Sequence, residues 1–210
     1  MTNRQTIINS LNLFLRNING LKRYKPELLN LFIEKHIDIT LISETHCTPI
    51  SKNFFPGYKI YRTNHPDGTA HGGSAIIISS KIQCQPIPNL QTNTIQATKI
   101  QITLNNIPTT ISSVYSPPRP AISSQEVDQF LNSADNTSLI GGDFDAKHLQ
   151  WGCRLENTRG CMFQNILRTK KYTFISPPGP TYWPSHRNRQ PDILDLFLST
   201  IPRHINFTIK

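Results

Sequence analysis

Two aspartates placed two residues apart are the first groups in this chain whose spacing could do chemistry. Asp143 and Asp145 follow an apolar run, Ser138 to Ile140, and the pair Gly141-Gly142. If the run is a buried strand, its period-2 alternation points both carboxylates to one side as the strand leaves its sheet. The glycines would let backbone or ligand approach closely. Carboxylates at a strand end indicate a catalytic site, and an Asp-rich turn is the alternative.

Polar groups follow four other predicted strands in the same way. In chain order they are Asn17 with Asn19, then Glu44, Tyr115 and Asp195. Each alone has an ordinary structural explanation, as a turn residue, a solvated acid, an edge tyrosine or an acid paired with backbone. Asp195 is the hardest to explain in this way, because it lies inside the run DILDLFL and a buried carboxylate is costly without a partner.

The charge balance of the chain favours an anionic partner. The 210 residues contain 22 Lys and Arg against 13 Asp and Glu, a formal net charge of +9. Between Lys147 and Gln190, eight basic residues stand against one acid, Glu156, so this basic segment carries +7 of the +9. Such a surplus suits nucleic acid first and an anionic membrane surface second. A solvated basic face is the structural alternative.

Cysteine usage and hydropathy predict an intracellular protein without a membrane segment. The four cysteines form no C-x-x-C pair and no metal-site spacing, which predicts reduced thiols. The polar N-terminus lacks a signal-peptide pattern. The apolar runs are too short to span a bilayer.

Hydrophobic periodicity predicts more strands than helices. The predicted helices lie at 26–36, 123–131 and about 159–170. The predicted strands lie at 7–15, 37–43, 58–61, 74–79, 94–104, 107–115, 138–140, 172–175, 181–183, 193–199 and 204–209. Pro26 is placed in the first turn of its helix, and Ser123 with Glu126 predicts a capping box. Two mixed sheets packed face to face, with helices outside, are the simplest arrangement.

The polar stretches together resemble one known family. LRNINGL, SETH, GGSAIIIS, VYSPP, GGDFDAKH, PTYW and DILDLFL occur in an order and spacing similar to the endonuclease domain of non-LTR retrotransposons, most of all jockey-type insect elements. That domain belongs to the apurinic-endonuclease-like branch of the endonuclease/exonuclease/phosphatase (DNase I-like) superfamily. The resemblance covers residues 1–210 as one domain. It implies an α/β (α+β) fold, a four-layered sandwich of two packed mixed β-sheets flanked by helices.

The resemblance implies cleavage of a DNA phosphodiester with a divalent metal, Mg²⁺ or Mn²⁺. Glu44 matches the family's metal-binding glutamate, and Asn19 matches a neighbouring position that helps with the metal. Asn17 matches the first-strand asparagine that supports the site. Tyr115 matches the tyrosine that contacts the scissile phosphate, and Asp143 the aspartate that orients or activates the attacking water.

Further matches lie later in the chain. Asp195 matches the aspartate that partners the catalytic histidine, and Thr181 lies where relatives place a DNA-contacting hairpin residue. The other expected DNA-binding residues belong to the basic segment: Lys147, His148, Arg187 and Arg189. His148 flanks the chemistry in its motif.

Two departures from the family pattern predict weaker activity. The family has Asn at position 145, whose amide donates to the phosphate, whereas Asp145 is an acceptor-only anion and is expected to weaken substrate binding. The family's C-terminal Ser-Asp-His motif is absent, and His204 does not match it. We therefore expect a C-terminally truncated domain that lacks its last strand and exposes a sheet edge.

Three functions follow from these observations. The leading one is a metal-dependent endonuclease domain that nicks target DNA in the nucleus, so that an attached reverse transcriptase primes on the 3′ end. The second is a non-catalytic DNA-binding remnant that keeps the basic segment. The third is a phosphatase of the same superfamily, against which the basic segment and the PTYW stretch argue.

Overall fold

The computed structural model describes residues 10–134, 136–184, 190–201 and 208–209. Within these ranges the helices are α1 (Leu21–Lys35), α2 (Ser124–Asn132) and α3 (Thr158–Thr169), and a short 3-10 helix covers Leu149–Trp151. The strands are β1 (Asn12–Asn17), β2 (Ile39–Ser43), β3 (Tyr58–Thr63), β4 (Ser74–Ser79), β5 (Cys84–Pro86), β6 (Leu90–Gln91), β7 (Gln96–Leu104), β8 (Ile107–Tyr115), β9 (Ser138–Asp143), β10 (Thr173–Ile175), β11 (Asp195–Ser199) and β12 (Thr208–Ile209).

The strands form two mixed sheets. The first has the order β12-β1-β2-β4-β3, with β1 parallel to β12 and β2 and the remaining neighbours antiparallel. The second has the order β10-β11-β9-β8-β7-β5, with β6 also paired to β7, and β8 parallel to β9. The α/β (α+β) prediction of two mixed sheets is therefore confirmed. The expected missing last strand stays a prediction.

Alternation along the strands gives each sheet two apolar faces, and each face has a partner. In β2, Leu41 packs between the two sheets, whereas Ile42 packs on the other face with residues of α1. Phe130 of α2 and Phe163 of α3 pack against the outer face of the second sheet. Each fully buried side chain of this size contributes about 1.5–3 kcal/mol. The resulting order of helix, sheet, sheet and helices is the four-layered sandwich.

The two glycines before Asp143 lie inside β9, so the strand predicted to end at Ile140 runs three residues further. A Cβ on Gly141 would lie 2.7 Å from Leu41 Cδ1 of the first sheet. A Cβ on Gly142 would lie 2.0 Å from the carbonyl oxygen of Val114 on the neighbouring strand. The prediction that backbone approaches closely here is confirmed, and the approach brings Asp143 to the edge where the sheets meet.

Helix α1 begins five residues before the predicted start, so the placement of Pro26 in the first turn is wrong. The backbone N–H of Gly20 donates to the Glu44 carbonyl at 2.8 Å, and that of Leu21 donates to the Thr45 carbonyl at 2.9 Å. These tertiary bonds satisfy donors that a helix start leaves free. They also attach α1 to the turn that carries Glu44, a constraint that local periodicity does not contain.

Several other strands differ in their bounds from the predicted ones. β1 begins at Asn12, and the predicted strand 7–15 starts in residues outside the described ranges. The TYW stretch forms only an isolated bridge, between Tyr182 and Asp192, and HINFTI contributes β12 while 202–207 lie outside the described ranges. β5 and β6 were missed because they are three and two residues long, too short for a periodic pattern.

Two simpler predictions concern the thiols and the membrane. All four cysteines are free, as their spacing predicts. Within the described part of the chain, no helix combines the length and the apolar character that a bilayer crossing requires.

Candidate active site

The strand ends that carry polar residues meet at one edge of the two sheets. In the first sheet, Asn17 at the end of β1 is opposite Ser43 at the end of β2. In the second sheet, Asp143 is opposite both Tyr115 of β8 and Asp195 of β11. Sequence analysis placed these polar residues at separate strand tips, and the strand register brings them together.

The amide of Asn17 joins carboxylates from both sheets. Its Nδ2 donates to Glu44 Oε1 at 2.9 Å and to Asp143 Oδ2 at 2.8 Å. Its Oδ1 accepts from the backbone N–H of Asn19 at 3.2 Å. Because an amide nitrogen carries two hydrogens, both are used here and the side chain has one orientation. Asn17 is therefore the residue that positions Glu44 relative to Asp143.

A second connection between the sheets lies directly beneath the carboxylates, at Ser43. This buried hydroxyl donates to the Val114 carbonyl at 2.8 Å and accepts from the backbone N–H of Asp143 at 3.1 Å. Sequence analysis missed Ser43, although it directly precedes Glu44 in the SETH motif. The bond holds the backbone of Asp143 in register with the first sheet.

Left-handed backbone conformations cluster around the carboxylates. Asn19 has φ 44°, Glu44 φ 54°, His46 φ 50° and Asp145 φ 45°. This conformation costs most residues other than glycine about 1–2 kcal/mol, whereas asparagine and aspartate adopt it more readily. Such strain persists where the surrounding structure demands it, and it concentrates at functional sites. The turn also places His46 Nε2 3.4 Å from Glu44 Oε2.

The alternation argument for Asp145 is wrong, because the strand ends at Asp143. Asp145 turns into the left-handed region, and its own backbone N–H donates to Asp143 Oδ1 at 2.9 Å. The second aspartate therefore supports the first through its main chain. Its side chain belongs to the neighbouring surface with Asn157 and Arg159, around a depression of about 330 Å³.

Burial and neighbouring charge raise the pKa values of the two buried acids at this edge, Asp143 and Asp195. Burial raises the pKa of Asp143, the charge of Asp195 raises it further, and hydrogen bonds from Asp145 and Asn17 oppose the rise. Burial likewise raises the pKa of Tyr115, and the charges of Glu44 and Asp143 add to it. The phenol is therefore neutral over the physiological range and is a hydrogen-bond donor.

Asp195 holds a buried oxygen atom that no described residue satisfies. Its Oδ1 has no hydrogen-bond partner within the described chain. The main chain beside it is held by Thr181, whose Oγ1 accepts from the backbone N–H groups of Leu194 and Asp195, each at 3.0 Å. Burial raises the pKa of Asp195, the Thr181 hydroxyl lowers it, and the charge of Glu44 raises it. Leaving a buried carboxylate oxygen without a partner costs free energy. A hydrogen-bond donor or a cation bound at this site would remove that cost.

The side chains at this edge offer oxygen donors, which suits a hard divalent cation. Glu44 is partly exposed, with 23% of its side chain accessible, and Asn19 lies exposed next to Asn17. Asp143 and Asp195 add two buried carboxylates. The residues present therefore fit Mg²⁺ or Mn²⁺, with Glu44 as the accessible carboxylate.

Two residues expected to bind DNA have structural partners. Lys147 Nζ lies 2.9 Å from Oδ2 of the buried Asp192. His148 Nε2 lies 3.6 Å from Glu156 Oε2, and its Nδ1 accepts from the backbone N–H of Gln150 at 3.2 Å. Both side chains stabilise the loop after β9, and their contact with DNA stays a prediction.

The end of the basic segment is only partly described. Arg187 and Arg189 lie outside the described residues, as does His204. Just before them, Trp183 is 70% exposed and Tyr182 is 41% exposed. Exposed aromatic residues next to basic ones are typical of a binding surface.

Arg159 is a positioning residue that sequence analysis did not find. Its Nη1 donates to the carbonyl oxygens of Ser116 and Phe144, each at 3.1 Å, and so joins the loops that follow β8 and β9. Burial raises the pKa of Asp145, while the charges of Arg159 and Lys147 lower it. Arg159 therefore offsets part of the negative charge that Asp145 brings to the site.

Two packed mixed sheets with an acidic, oxygen-rich site at their shared edge define the endonuclease/exonuclease/phosphatase class of fold. Residues 109–208 match the family model described as endonuclease-reverse transcriptase. The RNA-directed DNA polymerase from mobile element jockey of Drosophila funebris is 33% identical over 180 residues, which are 85% of this chain and 20% of that protein. The jockey protein of Drosophila melanogaster is 31% identical over 191 residues, 90% of this chain and 21% of that protein.

Solved structures show the same fold. The endonuclease domain of TRAS1, a telomere-specific non-LTR retrotransposon, has a TM-score of 0.70 at 22% identity, covering 91% of this chain and 83% of that one. The AP endonuclease LMAP from Leishmania major has a TM-score of 0.69 at 9% identity, covering 90% and 78%. The chain belongs to the endonuclease domain family of jockey-like non-LTR retrotransposons. It spans about a fifth of the length of the curated relatives it matches.

Proposed function

We propose that this chain hydrolyses one phosphodiester bond of target DNA, using Mg²⁺ or Mn²⁺ bound at the shared edge of the sheets. The observation that carries the proposal is the Asn17 amide, which joins Glu44 of one sheet to Asp143 of the other at 2.9 and 2.8 Å. These two hydrogen bonds hold the accessible carboxylate of Glu44 close to the buried carboxylate of Asp143. That arrangement suits a cation on one side and a water on the other.

Glu44, with Asn19 beside it, would hold the cation. When bound, the cation neutralises charge on the phosphate and stabilises the leaving oxygen. The neutral phenol of Tyr115 would donate a hydrogen bond to the scissile phosphate. Asp143 would orient the attacking water and accept its proton, a role that its raised pKa favours.

Asp195 would orient a group that donates to its unsatisfied Oδ1, such as an imidazole. Thr181 supports this role, because its hydroxyl accepts from the backbone N–H of Asp195 at 3.0 Å. The same residue stands beside the exposed Tyr182 and Trp183, so Thr181 would also lie against bound DNA. Asp145, beside Arg159, would border the phosphate.

The basic segment would contact the DNA backbone. Lys147, His148, Arg187 and Arg189 lie in the stretch that holds +7 of the chain's net charge. Basic residues near a phosphodiester site bind without regard to sequence and make affinity depend on salt. We therefore propose DNA as the partner, and the nucleus as the place of action.

The jockey proteins of both Drosophila species carry the name RNA-directed DNA polymerase. We propose that this chain likewise belongs to a longer polypeptide with a reverse transcriptase domain. A nick made by this domain would expose the 3′ end on which reverse transcription begins.

A plasmid-nicking assay tests the proposal. Supercoiled DNA is incubated with the chain and Mg²⁺, and in parallel with EDTA, with the Asp143→Ala variant, and with Asp128→Asn as a surface control. Relaxed circles are expected for the wild type and the surface control with Mg²⁺ alone. Absence of nicking, combined with salt-sensitive DNA binding, would identify a non-catalytic DNA-binding remnant instead. Faster hydrolysis of an inositol phosphate than of DNA would identify a phosphatase.

A further inference from the structure

The loop of residues 64–73, which joins β3 to β4, carries two imidazoles and a carboxylate at one point. His65 Nδ1 lies 2.9 Å from Asp67 Oδ1, and His71 Nε2 lies 3.7 Å from Asp67 Oδ2. One ligand atom from each of the three residues lies within 4.8 Å of the other two. None of these residues takes part in the proposed nuclease site.

Thr69 determines which nitrogen of His71 is free. Its hydroxyl donates to Asp67 Oδ1 at 2.9 Å and lies 2.6 Å from His71 Nδ1. A hydroxyl has one hydrogen, so it must accept the second bond, and Nδ1 of His71 carries the proton. The lone pair of His71 is therefore on Nε2, which faces the Asp67 carboxylate. A hydrogen bond that sets the tautomer in this way is typical of a metal-binding histidine.

The two imidazole rings lie close enough together to bind one metal ion. The centroids of His65 and His71 lie 3.8 Å apart. One metal ion can accept lone pairs from both neutral rings at this separation. The backbone N–H and the hydroxyl of Thr69 both donate to Asp67 Oδ1, at 2.8 and 2.9 Å, and so hold the carboxylate in place.

The spacing suits tetrahedral coordination. Metal–nitrogen and metal–oxygen bonds of about 2.0–2.2 Å at tetrahedral angles place ligand atoms about 3.3–3.5 Å apart. The observed separations of 2.9 and 3.7 Å lie on either side of that range. These separations run to Oδ1 and Oδ2 of Asp67 respectively, and one ligand atom from each residue lies within 4.8 Å of the other two, so the side chains would rotate to close the set around an ion.

We propose that His65, Asp67 and His71 bind a transition-metal ion of the zinc class, with a fourth position open to water. The backbone N–H of Asp67 donates to His65 Nδ1 at 3.4 Å, so in the neutral ring the lone pair is on Nδ1, the nitrogen that lies nearest Asp67 Oδ1. The ion would fix loop 64–73 in one conformation.

A second group of possible ligands, His148, Glu156 and Cys161, is less suitable. His148 Nδ1 accepts from the backbone N–H of Gln150 at 3.2 Å, so the neutral ring carries its proton on Nε2. That nitrogen faces Glu156 at 3.6 Å and has no lone pair for a metal. This group therefore supplies a matched control.

The loop is attached to the turn that holds Glu44. The backbone N–H of His46 donates to the Gly72 carbonyl at 2.9 Å, and that of Thr45 donates to the Gly73 carbonyl at 3.3 Å. A metal ion on the loop would therefore order chain that adjoins the shared edge of the sheets. Because the donor set is different, the loop should select a different class of ion from the proposed nuclease site.

Titration of the metal-free chain with Zn²⁺, followed by calorimetry, tests the proposal, and the visible absorption of Co²⁺ reports the coordination geometry. One tight equivalent with a four-coordinate Co²⁺ spectrum is expected. His65→Ala and His71→Ala should each remove this equivalent. His36→Asn, a change at an exposed histidine with left-handed backbone, and Cys161→Ser should leave it unchanged. Retention of the equivalent in His71→Ala, or its loss in Cys161→Ser, would overturn the assignment.

Variants of Thr69 distinguish a preformed metal site from adventitious binding to surface histidines. Thr69→Val removes the hydroxyl that orients His71 and should weaken Zn²⁺ binding by about tenfold or more, the effect typical of such supporting hydrogen bonds. Thr69→Ser keeps the hydroxyl and should bind as the wild type does. Equal affinity of the Val and Ser variants would contradict the role of Thr69 and with it the tautomer on which the site depends.

Discussion

The shared edge of the sheets and loop 64–73 bring together ligand atoms in opposite ways. At the edge, Asn17 and Asp143 are 126 residues apart in the chain, and Asp143 is 7% exposed. On the loop, His65 and His71 are separated by six positions, and half of the His71 side chain is exposed. The first site is assembled by the fold and the second by one local turn.

The difference in donors predicts a difference in metals. Carboxylate and amide oxygens at the edge suit Mg²⁺ or Mn²⁺, whereas the imidazoles of the loop suit zinc-class ions. The edge depends on two sheets held in register, so changes in the core should damage it. The loop depends on Thr69 and a few neighbours, so it should survive many of those changes.

The largest effect is expected from Asp143→Ala. Loss of the group that orients and activates the water should lower DNA nicking by about 10²–10⁴-fold, the usual contribution of general base catalysis. Zn²⁺ uptake by the loop should stay the same, because Asp143 makes no contact with it. Nicking and Zn²⁺ titration on the same sample measure both. Nicking that survives the change would mean that Asp143 is not the catalytic base.

A matched pair of glycine variants compares the stability of the two regions. Gly142→Ala should cost about 3 kcal/mol, because its Cβ would lie 2.0 Å from a backbone oxygen of the neighbouring strand. Gly68→Ala should cost about 1 kcal/mol, because its Cβ has space and only the positive φ of 75° is unfavourable. Urea denaturation gives both values. Equal costs would show that the edge is as adaptable as the loop.

Asp195→Asn tests the pH dependence of the buried edge. Burial and neighbouring charge raise the pKa of Asp195 to about 6, above the value of about 3.9 for an unfolded chain. A raised acid pKa means that the folded state binds the proton more tightly. The resulting stabilisation is complete below about pH 4 and is lost as the pH rises through about 6.

The variant should therefore be more stable than the wild type at pH 7.5 by about 1–2 kcal/mol, since each unit of pKa difference corresponds to about 1.4 kcal/mol. At pH 4.5 the two should differ much less. Urea denaturation at both pH values provides the measurement, with Asp128→Asn as the control. The same difference at both pH values would argue against a charged, buried Asp195.

The smallest effect is expected from Asp145→Asn. The change removes a negative charge and adds an amide donor where the family has asparagine, so DNA affinity should rise. The rise should be below about tenfold, or 1.4 kcal/mol, because Arg159 and Lys147 already offset the charge of Asp145. Fluorescence anisotropy with duplex DNA at fixed low salt measures it, with Glu156→Gln as the control acid. Unchanged or weaker binding would show that position 145 does not face the phosphate.

Local features were predictable from the sequence because they depend on neighbouring residues. The capping box of Ser123 and Glu126 is present at α2. Asn105 and Asn106 form the turn of the β7–β8 hairpin, each with positive φ. The loop cluster is also local in this sense, although its proposed role depends on the hydrogen bond that His71 Nδ1 donates to the Thr69 hydroxyl, which no residue pattern contains.

By itself, the sequence determined the helices and the longer strands, the layered class of the fold and the strand tips that carry Asn17, Glu44, Tyr115, Asp143 and Asp195. The tertiary structure decided which of these tips meet. It began α1 at Leu21 through bonds to the Glu44 turn, turned Asp145 out of the strand, and placed Arg159 beside it. Strand pairing and sheet packing join residues far apart in the chain, so periodicity, which reads only neighbours, cannot contain that information.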